Sequence, residues 1–363
     1  MVLEHLLHEE NSDMIRAGIL GLGYMGGCHL QKINATDGIQ VTSAHDIDTG
    51  KKVAAEADNM IFYSSRQEFL AQPDLDLVII ATPNQFHKSY AIEALKAGKH
   101  VLCEKPVTLN TDELDQVIRV ARETGKIFTV HQNRRWDADY LALKKAIADG
   151  WLGKPVAVES RVLGERGIVF GWRADPAYGG GMLYDWGVHQ VDQLLQLFDG
   201  RQVVQVMAQT WSVNTPAVDD YFKLDLIFDD QSSAHAECGV FALEKLPRWF
   251  VYGDSGTLRI DDFSAKTGRI SKINKNTTVE VSHGIDPLVG TSRTMAPLKP
   301  EQVERHDLPQ VPDASRTFYQ NLVSACQGQV QPLVTPESVR RTMQIIDAAF
   351  KSARTRQSMD VQI

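Results

Sequence analysis

The stretch Ile15–Ile33, "IRAGILGLGYMGGCHLQKI", joins an apolar run to a short helix-like segment through closely spaced glycines. Gly21, Gly23 and Gly26 form a GxGxxG pattern directly between the two. Only glycine permits the tight turn there and lets the backbone approach a pyrophosphate, whose charge meets the N–H groups of the helix N-terminus. The pattern predicts a dinucleotide site whose contacts come from Gly21, Leu22, Gly23, Tyr24, Met25 and Gly26.

A carboxylate follows at the spacing that such a site requires. Asp46 ends the next strand-like run, 25 residues beyond Gly21 (46 − 21). A carboxylate there accepts hydrogen bonds from the hydroxyls of the adenosine ribose and would repel a 2′-phosphate. Lys51 and Lys52 follow and could accommodate NADP, but no arginine adjoins Asp46. The sequence therefore favours NAD over NADP.

Two patterns of periodicity divide the chain. From Ile15 to about Asn133, short apolar runs alternate with helix-like segments, which is typical of a parallel, doubly wound sheet. Longer runs that alternate polar and apolar residues follow, and these favour an antiparallel sheet with one solvated face. The fold class is predicted as α/β, with an N-terminal Rossmann domain at 14–134 and a C-terminal α/β domain with an open, mainly antiparallel sheet at 135–363. Residues 1–13 are interpreted as an N-terminal extension, and 262–313 as hairpins and loops.

Composition excludes several classes of partner. The 363 residues carry a formal net charge of −8, which argues against nucleic acid and against anionic membranes, since both need clustered Lys and Arg. No run approaches the roughly 20 apolar residues of a membrane span. The four cysteines form no CxxC pair and are typical of reduced thiols. We expect a cytoplasmic protein.

Two further motifs carry chemically competent side chains. In "EKP", Lys105 follows a strand-like run and would point at a bound nicotinamide or be an ordinary surface lysine. In "GGGMLYDWGVHQVD", Asp185, His189 and Asp192 stand at intervals of four and three, which places them on one face if the segment is helical. From spacing alone, that face could hold a metal, transfer a proton or be only a polar stripe.

The motifs "GLGYMG", "ATPNQFH", "EKP" and "GGGMLYDWGVHQVD", in this order, resemble those of the Gfo/Idh/MocA oxidoreductases, which include glucose–fructose oxidoreductase and inositol dehydrogenase. The resemblance runs from about Ile15 to the last helix. It implies a Rossmann domain joined to an α/β domain whose open sheet often forms the oligomer interface. It also implies oxidation or reduction of a hydroxyl on a sugar, cyclitol or related polyol.

The resemblance assigns site residues. Lys105, Asp185 and His189 match the catalytic positions of the family. Arg134, in "NRRW", matches a residue that reaches substrate together with Asp185 and His189. The cofactor contacts that it implies besides the glycine segment are Asp46, Ile47, Thr82, Pro83, Asn84, His87, Glu104, Lys105, Trp172 and Arg173.

With that resemblance, proton transfer is the reading that best explains the second motif. A metal site lacks a third strong ligand and the HExxH form, so no metal is predicted. His189 can accept the hydroxyl proton near neutral pH, and Lys105 can stabilise the developing alkoxide. A Lys105 base with His189 as orienter is the alternative. Asp185 would orient the substrate and His189, and Asp192 is interpreted as a structural or supporting residue. Trp172, Tyr178 and Trp186 could form an apolar wall for a sugar or simply pack in the core.

The predicted function is an NAD-dependent dehydrogenase or reductase that acts on a small polyol. Two alternatives stay open: a glycosidase that retains NAD and oxidises a sugar transiently, and a non-enzymatic sensor of NAD or sugar. The alternating strands of the second domain leave a sheet face to be covered, so a homodimer or homotetramer is expected.

Overall fold

The computed structural model describes residues 14–166, 171–274, 285–286, 290–291 and 298–363. Its first sheet is parallel, and each strand is the apolar run of one strand–helix unit. The strands are β1 Ile15–Leu20, β2 Ile39–His45, β3 Ile61–Tyr63, β4 Leu77–Ile80, β5 His100–Cys103 and β6 Phe128–Val130. Their order is β3-β2-β1-β4-β5-β6. From β1 the chain adds strands toward one edge of the sheet as far as β3, and from β4 it adds them toward the other edge. The carboxyl ends of β1 and β4, where the order of the strands changes direction, therefore border a crevice.

Helices cover both faces of this sheet, so β4 is buried at every position. The helices are α1 Tyr24–Ile33, α2 Lys52–Ala57, α3 Arg66–Leu70, α4 His87–Lys96 and α5 Thr111–Thr124. α5 begins at Asn110, whose side chain accepts a hydrogen bond from the N–H of Glu113, and ends at Gly125 in the left-handed conformation.

The second sheet is mainly antiparallel. Its strands are β7 Pro155–Leu163, β8 Val203–Trp211, β9 Tyr221–Phe228, β10 Ser233–Gly239, β11 Trp249–Gly253, β12 Gly256–Ile260, β13 Gly268–Ile273, β16 Val303–His306 and β17 Met359–Asp360. The order is β16-β13-β12-β11-β7-β10-β9-β8-β17, and within the described part of the chain β7 and β10 are its one parallel pair. A separate small hairpin pairs β14 Ile285–Asp286 with β15 Gly290–Thr291. The predicted fold class is confirmed.

One face of the second sheet packs against helices and the other is partly open. Along β9, Phe222, Leu224 and Leu226 are buried, while the alternate residues Tyr221 and Asp225 face outward and keep some exposure. The remaining helices are α6 Ala138–Ala148, α7 Val188–Leu197, α8 Thr317–Cys326 and α9 Pro336–Thr355. Among the described residues, no helix combines the length and the apolar character that a membrane span needs.

The helix α9 and the loop before it contact both domains, and the Ser352 hydroxyl of α9 accepts the N–H of Ala208 on β8. The Thr129 hydroxyl on β6 donates to the carbonyl of Val334, and the N–H of Thr111 donates to Asp347 of α9. Residues 1–13 lie outside the described residues. The domain limits at 134 and 135 stay a prediction. In 262–313, the described part contains the hairpin and loop elements β13 to β16.

Candidate active site and cofactor cleft

A cavity of about 390 Å³ lies at the carboxyl edge of the first sheet, beside the reversal point. Thirteen of the predicted cofactor contacts line it: Gly21, Gly23, Tyr24, Met25, Asp46, Ile47, Thr82, Pro83, Asn84, Glu104, Lys105, Trp172 and Arg173. Sequence reasoning missed five further lining residues: Leu20, His45, Ala81, Phe86 and Tyr90. Ala81 and Phe86 lie within the quoted motif "ATPNQFH", and Leu20, His45 and Tyr90 lie within three residues of a predicted contact, so a wider reading of each motif would have found all five.

The glycine turn is built for close backbone approach. A Cβ at Gly26 would lie 2.2 Å from the carbonyl oxygen of Gly21, so any side chain would break the turn. A Cβ at Gly23 would meet no protein atom within 4 Å, and Gly23 lines the cavity. The turn therefore leaves open the space at the N-terminus of α1 where a pyrophosphate binds in this fold. Gly26 contributes through packing and does not line the cavity.

The Asp46 side chain hydrogen-bonds both to the glycine turn and to the segment that follows β2. Its Oδ2 accepts the Leu22 N–H at 2.7 Å, and its Oδ1 accepts the Asp48 N–H at 2.8 Å. Leu22 thus acts through its backbone and does not line the cavity. Both oxygens keep lone pairs for a further donor, because a carboxylate oxygen can accept two hydrogen bonds.

His87 is buried behind the cavity wall. Its Nδ1 lies 2.7 Å from the Pro106 carbonyl oxygen and its Nε2 lies 2.8 Å from that of Thr82. Burial lowers its pKa, so the ring is neutral and can donate to only one of these carbonyls at a time. His87 therefore joins the loops that follow β4 and β5. It was predicted as a direct cofactor contact, but it does not line the cavity.

The three predicted catalytic residues lie together. Lys105 Nζ is 2.7 Å from Asp185 Oδ1 and 2.9 Å from the Asp185 carbonyl oxygen. Burial would raise the pKa of Asp185, but Lys105 and Arg173 outweigh it and lower the pKa. Asp185 is therefore ionised at neutral pH, and it holds the ammonium group of Lys105 at the cavity wall.

His189 follows one turn along the same segment and is almost fully buried. Its Nδ1 lies 2.9 Å from Gln132 Oε1. Burial, and then the charges of Lys105 and Arg134, lower the pKa of His189 well below 6.5. The imidazole is therefore neutral at pH 7, which the sequence could not show, since a free histidine titrates near that pH.

The motif segment begins with a π turn, Leu183–Gly187, before α7. Such turns insert one residue into the helical phase and are frequent at functional sites. The glycine run before it has a packing reason: Gly181 has φ +104°, and a Cβ there would lie 2.2 Å from the Asp219 carboxylate. That carboxylate accepts the Leu183 N–H at 2.7 Å, and burial raises its pKa to about 6.

Asp192, the third acidic or basic residue of the motif, lies away from the cavity. It accepts two hydrogen bonds from Arg135, at 2.8 and 2.6 Å, and both side chains are buried. Arg135 also donates to the Leu333 carbonyl and to the Ser338 hydroxyl. This pair connects the chain after β6 with α7 and the start of α9.

Arg134, the next predicted site residue, lies in an aromatic cluster. Its guanidinium is 4.7 Å from the Trp186 ring and 5.4 Å from the Phe263 ring, and it donates to Asp137 at 3.0 Å. Trp186 also packs against His189, with 6.0 Å between ring centroids. Phe263 comes from the loop after β12, and no sequence signal marked it.

The two other aromatic residues that the sequence singled out flank the cofactor cavity. Trp172 lines it and stacks under its neighbour Arg173, at 4.4 Å. Tyr178 packs edge-on against Phe86 at 6.5 Å. Trp186 lines a different cavity, of about 510 Å³, together with Val162, Leu163, Gly164, Glu165, Arg166, Cys238, Gly239 and Val240.

Glu104 turns its carboxylate into the protein. Oε1 lies 2.9 Å from His29 Nε2 and 2.7 Å from His131 Nδ1, and Oε2 accepts the Lys105 N–H. Burial would raise the pKa of Glu104, but the two histidines hold it well below its ordinary value. The Tyr319 hydroxyl closes the network at 3.0 Å from His29. In the described part of the chain, His29, Glu104 and His131 are also the group of side chains that could hold a metal ion. Both histidines already hydrogen-bond to Oε1 of Glu104.

Residues 15–132 match the family described as "Oxidoreductase family, NAD-binding Rossmann fold", and residues 140–259 match "GFO/IDH/MocA C-terminal domain". The chain belongs to the Gfo/Idh/MocA oxidoreductase family. The family that the motifs predicted is thereby confirmed.

Relatives of this Gfo/Idh/MocA protein match between 45% and 96% of its length. A solved NAD-binding protein from Listeria innocua is 37% identical, with a TM-score of 0.83 over 95% of this chain and 96% of its own. The scyllo-inositol 2-dehydrogenase (NADP(+)) IolW of Bacillus subtilis is 27% identical over 96% of each chain. The 1,5-anhydro-D-fructose reductase of Ensifer adhaerens is 34% identical over 45% of this chain and 50% of its own.

Proposed function

We propose that this protein transfers a hydride between NAD(H) and a hydroxyl or keto carbon of a sugar, cyclitol or related polyol. The observation that carries the proposal is the meeting of three side chains from two parts of the chain. Lys105 lines the cofactor cavity, its ammonium group pairs with Asp185, and the neutral imidazole of His189 follows one turn later. The names of the inositol dehydrogenase and anhydrofructose reductase relatives support the substrate class.

The cavity fits a dinucleotide on its own geometry. The open space at Gly23, the N-terminus of α1 and the carboxylate of Asp46 would hold the pyrophosphate and the ribose, as in other Rossmann folds. Thr82, Pro83, Asn84, Trp172 and Arg173 would border the nicotinamide half. The bound cofactor supplies the hydride acceptor for oxidation and the hydride donor for reduction.

The residues of this chain would handle the proton and the charge. His189 is neutral at pH 7 and can accept the hydroxyl proton during oxidation. The ammonium group of Lys105 would donate a hydrogen bond to the reacting oxygen and stabilise alkoxide character. The Asp185 carboxylate would orient Lys105 and a neighbouring substrate hydroxyl. Arg134 would contact substrate beside the Trp186 ring, which could pack against an apolar sugar face.

NAD is the preferred cofactor in this proposal. Asp46 is held as a carboxylate acceptor by two backbone N–H groups, and a 2′-phosphate would meet its charge. Lys52, a candidate to offset that charge, lies 3.7 Å from Glu56. The B. subtilis relative IolW carries NADP(+) in its name, so cofactor choice needs its own measurement. The homo-oligomer and the cytoplasmic location also stay predictions.

The test is a panel of sugars, inositols and glycosides with NAD+ and NADP+, followed at the nicotinamide absorbance. Net NADH formation with a free polyol, lost in His189→Ala, is the expected result. Glycoside cleavage without net NADH would favour the glycosidase alternative instead. Binding of NAD without turnover on any member of the panel would favour a sensor.

A further inference from the structure

Gln132 lies directly behind the candidate base. It follows β6, is 2% exposed, and its Oε1 is 2.9 Å from Nδ1 of His189. Its backbone is held on both sides: its N–H donates to the Val130 carbonyl, and its carbonyl accepts from the Arg135 N–H. The amide side chain is therefore presented to His189 from a rigid position at the sheet edge.

This contact determines which ring nitrogen carries the proton. With the amide oxygen of Gln132 toward the ring, Nδ1 of His189 is the N–H donor, because an amide oxygen only accepts. A neutral imidazole carries one such proton, which leaves Nε2 as an acceptor. Among the described residues, no group hydrogen-bonds to Nε2 of His189.

The charge state of the ring makes the tautomer important. Burial and the cations Lys105 and Arg134 keep His189 neutral at pH 7. A neutral ring in the opposite tautomer would direct an N–H instead of a lone pair at the substrate. It could then not act as a base, however well it was placed.

We propose that Gln132 is a positioning residue that holds His189 in the Nδ1–H tautomer, so that Nε2 accepts the substrate proton. The proposal rests on the proposed function, and it adds a residue outside the motifs that suggested it. A neutral amide fixes the tautomer without adding a charge that would raise the pKa of the ring. A negative charge opposite Nδ1 would favour the imidazolium, which has no lone pair to accept a proton.

The test combines two substitutions at Gln132 with an NMR measurement of the His189 ring. Gln132→Glu places a carboxylate opposite Nδ1 and should raise the pKa of His189 by about one to three pH units. The acid limb of kcat/KM for oxidation should move up by the same amount. Gln132→Leu removes the acceptor while keeping the volume close, so kcat should fall at least ~10-fold with NADH affinity unchanged. Gln116→Glu, on the exposed face of α5, is the matched control. It should change neither the pKa of His189 nor kcat.

Ring ¹⁵N NMR of the holoenzyme, with the His189 signals assigned from a His189→Gln sample, reads the tautomer without any substrate. The proposal expects a protonated Nδ1 in the wild type and a raised titration midpoint in Gln132→Glu. A protonated Nε2 in the wild type, or a midpoint that Gln132→Glu leaves unmoved, overturns it. If the ring behaves as expected while no polyol is turned over, the tautomer assignment stands and the proposed function fails. The wild-type spectrum keeps the test valid even if Gln132→Leu does not fold.

Discussion

The ammonium group of Lys105 and the carboxylate of Asp185 meet at 2.7 Å, although 80 residues separate them in the chain. Lys105 follows the fifth strand of the parallel sheet, and Asp185 lies in the π turn that leads into α7. Their ion pair joins the edge of one sheet to the helix that packs on the other. Burial, together with the charges of Lys105 from this pair and of Arg134, also keeps His189 neutral at pH 7.

Oxidation should therefore depend on pH in the acid range. A base works in its neutral form, and the pKa of His189 lies well below 6.5. The rate should be level through neutral pH and fall as pH drops through that pKa, which places the step lower than sequence reasoning suggested. His189→Ala should lose at least ~10²-fold in kcat and lose the step, with cofactor affinity intact. The measurement is kcat/KM between pH 4 and 9.

Lys105→Ala separates the two candidate bases. It should lower kcat through the lost oxyanion contact, and the residual rate should keep the acid step. That step should move toward 6.5, since one of the charges that lower the pKa of His189 is gone. Lys145→Ala, a surface lysine paired with Asp149, is the control. Loss of the step in Lys105→Ala with its retention in His189→Ala would reverse the assignment of the base.

Cofactor choice should follow Asp46. The wild type should bind NADH more tightly than NADPH, because a 2′-phosphate would lie against the Asp46 carboxylate. Asp46→Ala should weaken NADH binding and reduce the difference between the affinities for NADH and NADPH. Titration of nicotinamide fluorescence with both reduced cofactors measures this. Tighter binding of NADPH than of NADH by the wild type would overturn the assignment of NAD as the preferred cofactor.

The buried ion pair of Arg135 and Asp192 should contribute more to the free energy of unfolding than the exposed pair of Arg122 and Glu337 does. Arg135→Ala leaves a carboxylate buried without its partner, which costs about 3–5 kcal/mol of the free energy of unfolding. Arg122→Ala removes an arginine that pairs with Glu337 in an exposed geometry, and it should cost less than about 1 kcal/mol. Urea unfolding of the two variants provides the comparison. Equal losses would mean that the buried pair contributes no more than a surface contact.

Stability should also depend on pH through His235. Burial opposes its charge, but Asp225 at 2.7 Å and Glu237 at 3.8 Å raise its pKa to about 9. This is above the unfolded value of about 6.5, so the stabilisation is complete below pH 6.5 and is lost as pH rises through about 9. In His235→Gln the melting temperature should no longer fall between pH 6.5 and about 9 through this group. Asp225→Asn should have the same effect. An unchanged slope in both variants would contradict the assignment.

Assembly should use the open face of the second sheet. Trp211 is 43% exposed and Tyr252 47% exposed on that face, beside the charged side chains of β9 and β10. We expect a homodimer or homotetramer in sedimentation at micromolar concentration, and a shift toward monomer in Tyr252→Asp. Val330→Asp, at a similarly exposed apolar residue in the loop after α8, should leave the mass unchanged. A monomeric wild type would refute the expectation.

Local patterns were enough to predict the architecture. The glycine turn after β1 and the unbroken apolar run of β4 indicate a parallel, covered sheet, because both signals depend only on neighbouring residues. The family of this chain was predicted from the resemblance that the quoted motifs carry, and the catalytic positions Lys105, Asp185 and His189 were implied by that resemblance. The fold class and the family are confirmed, while the roles of the individual residues await the experiments above.

Only the tertiary structure decided which side chains meet. Gln132 reaches His189 across 57 residues, Arg135 reaches Asp192 across the same distance in sequence, and Tyr319 reaches His29 across 290. No periodicity records such pairs, since a helix or strand pattern reports which face of an element is buried but not what lies opposite. The protonation state of His189 has the same origin: it depends on burial and on charges that the fold brings from elsewhere in the chain.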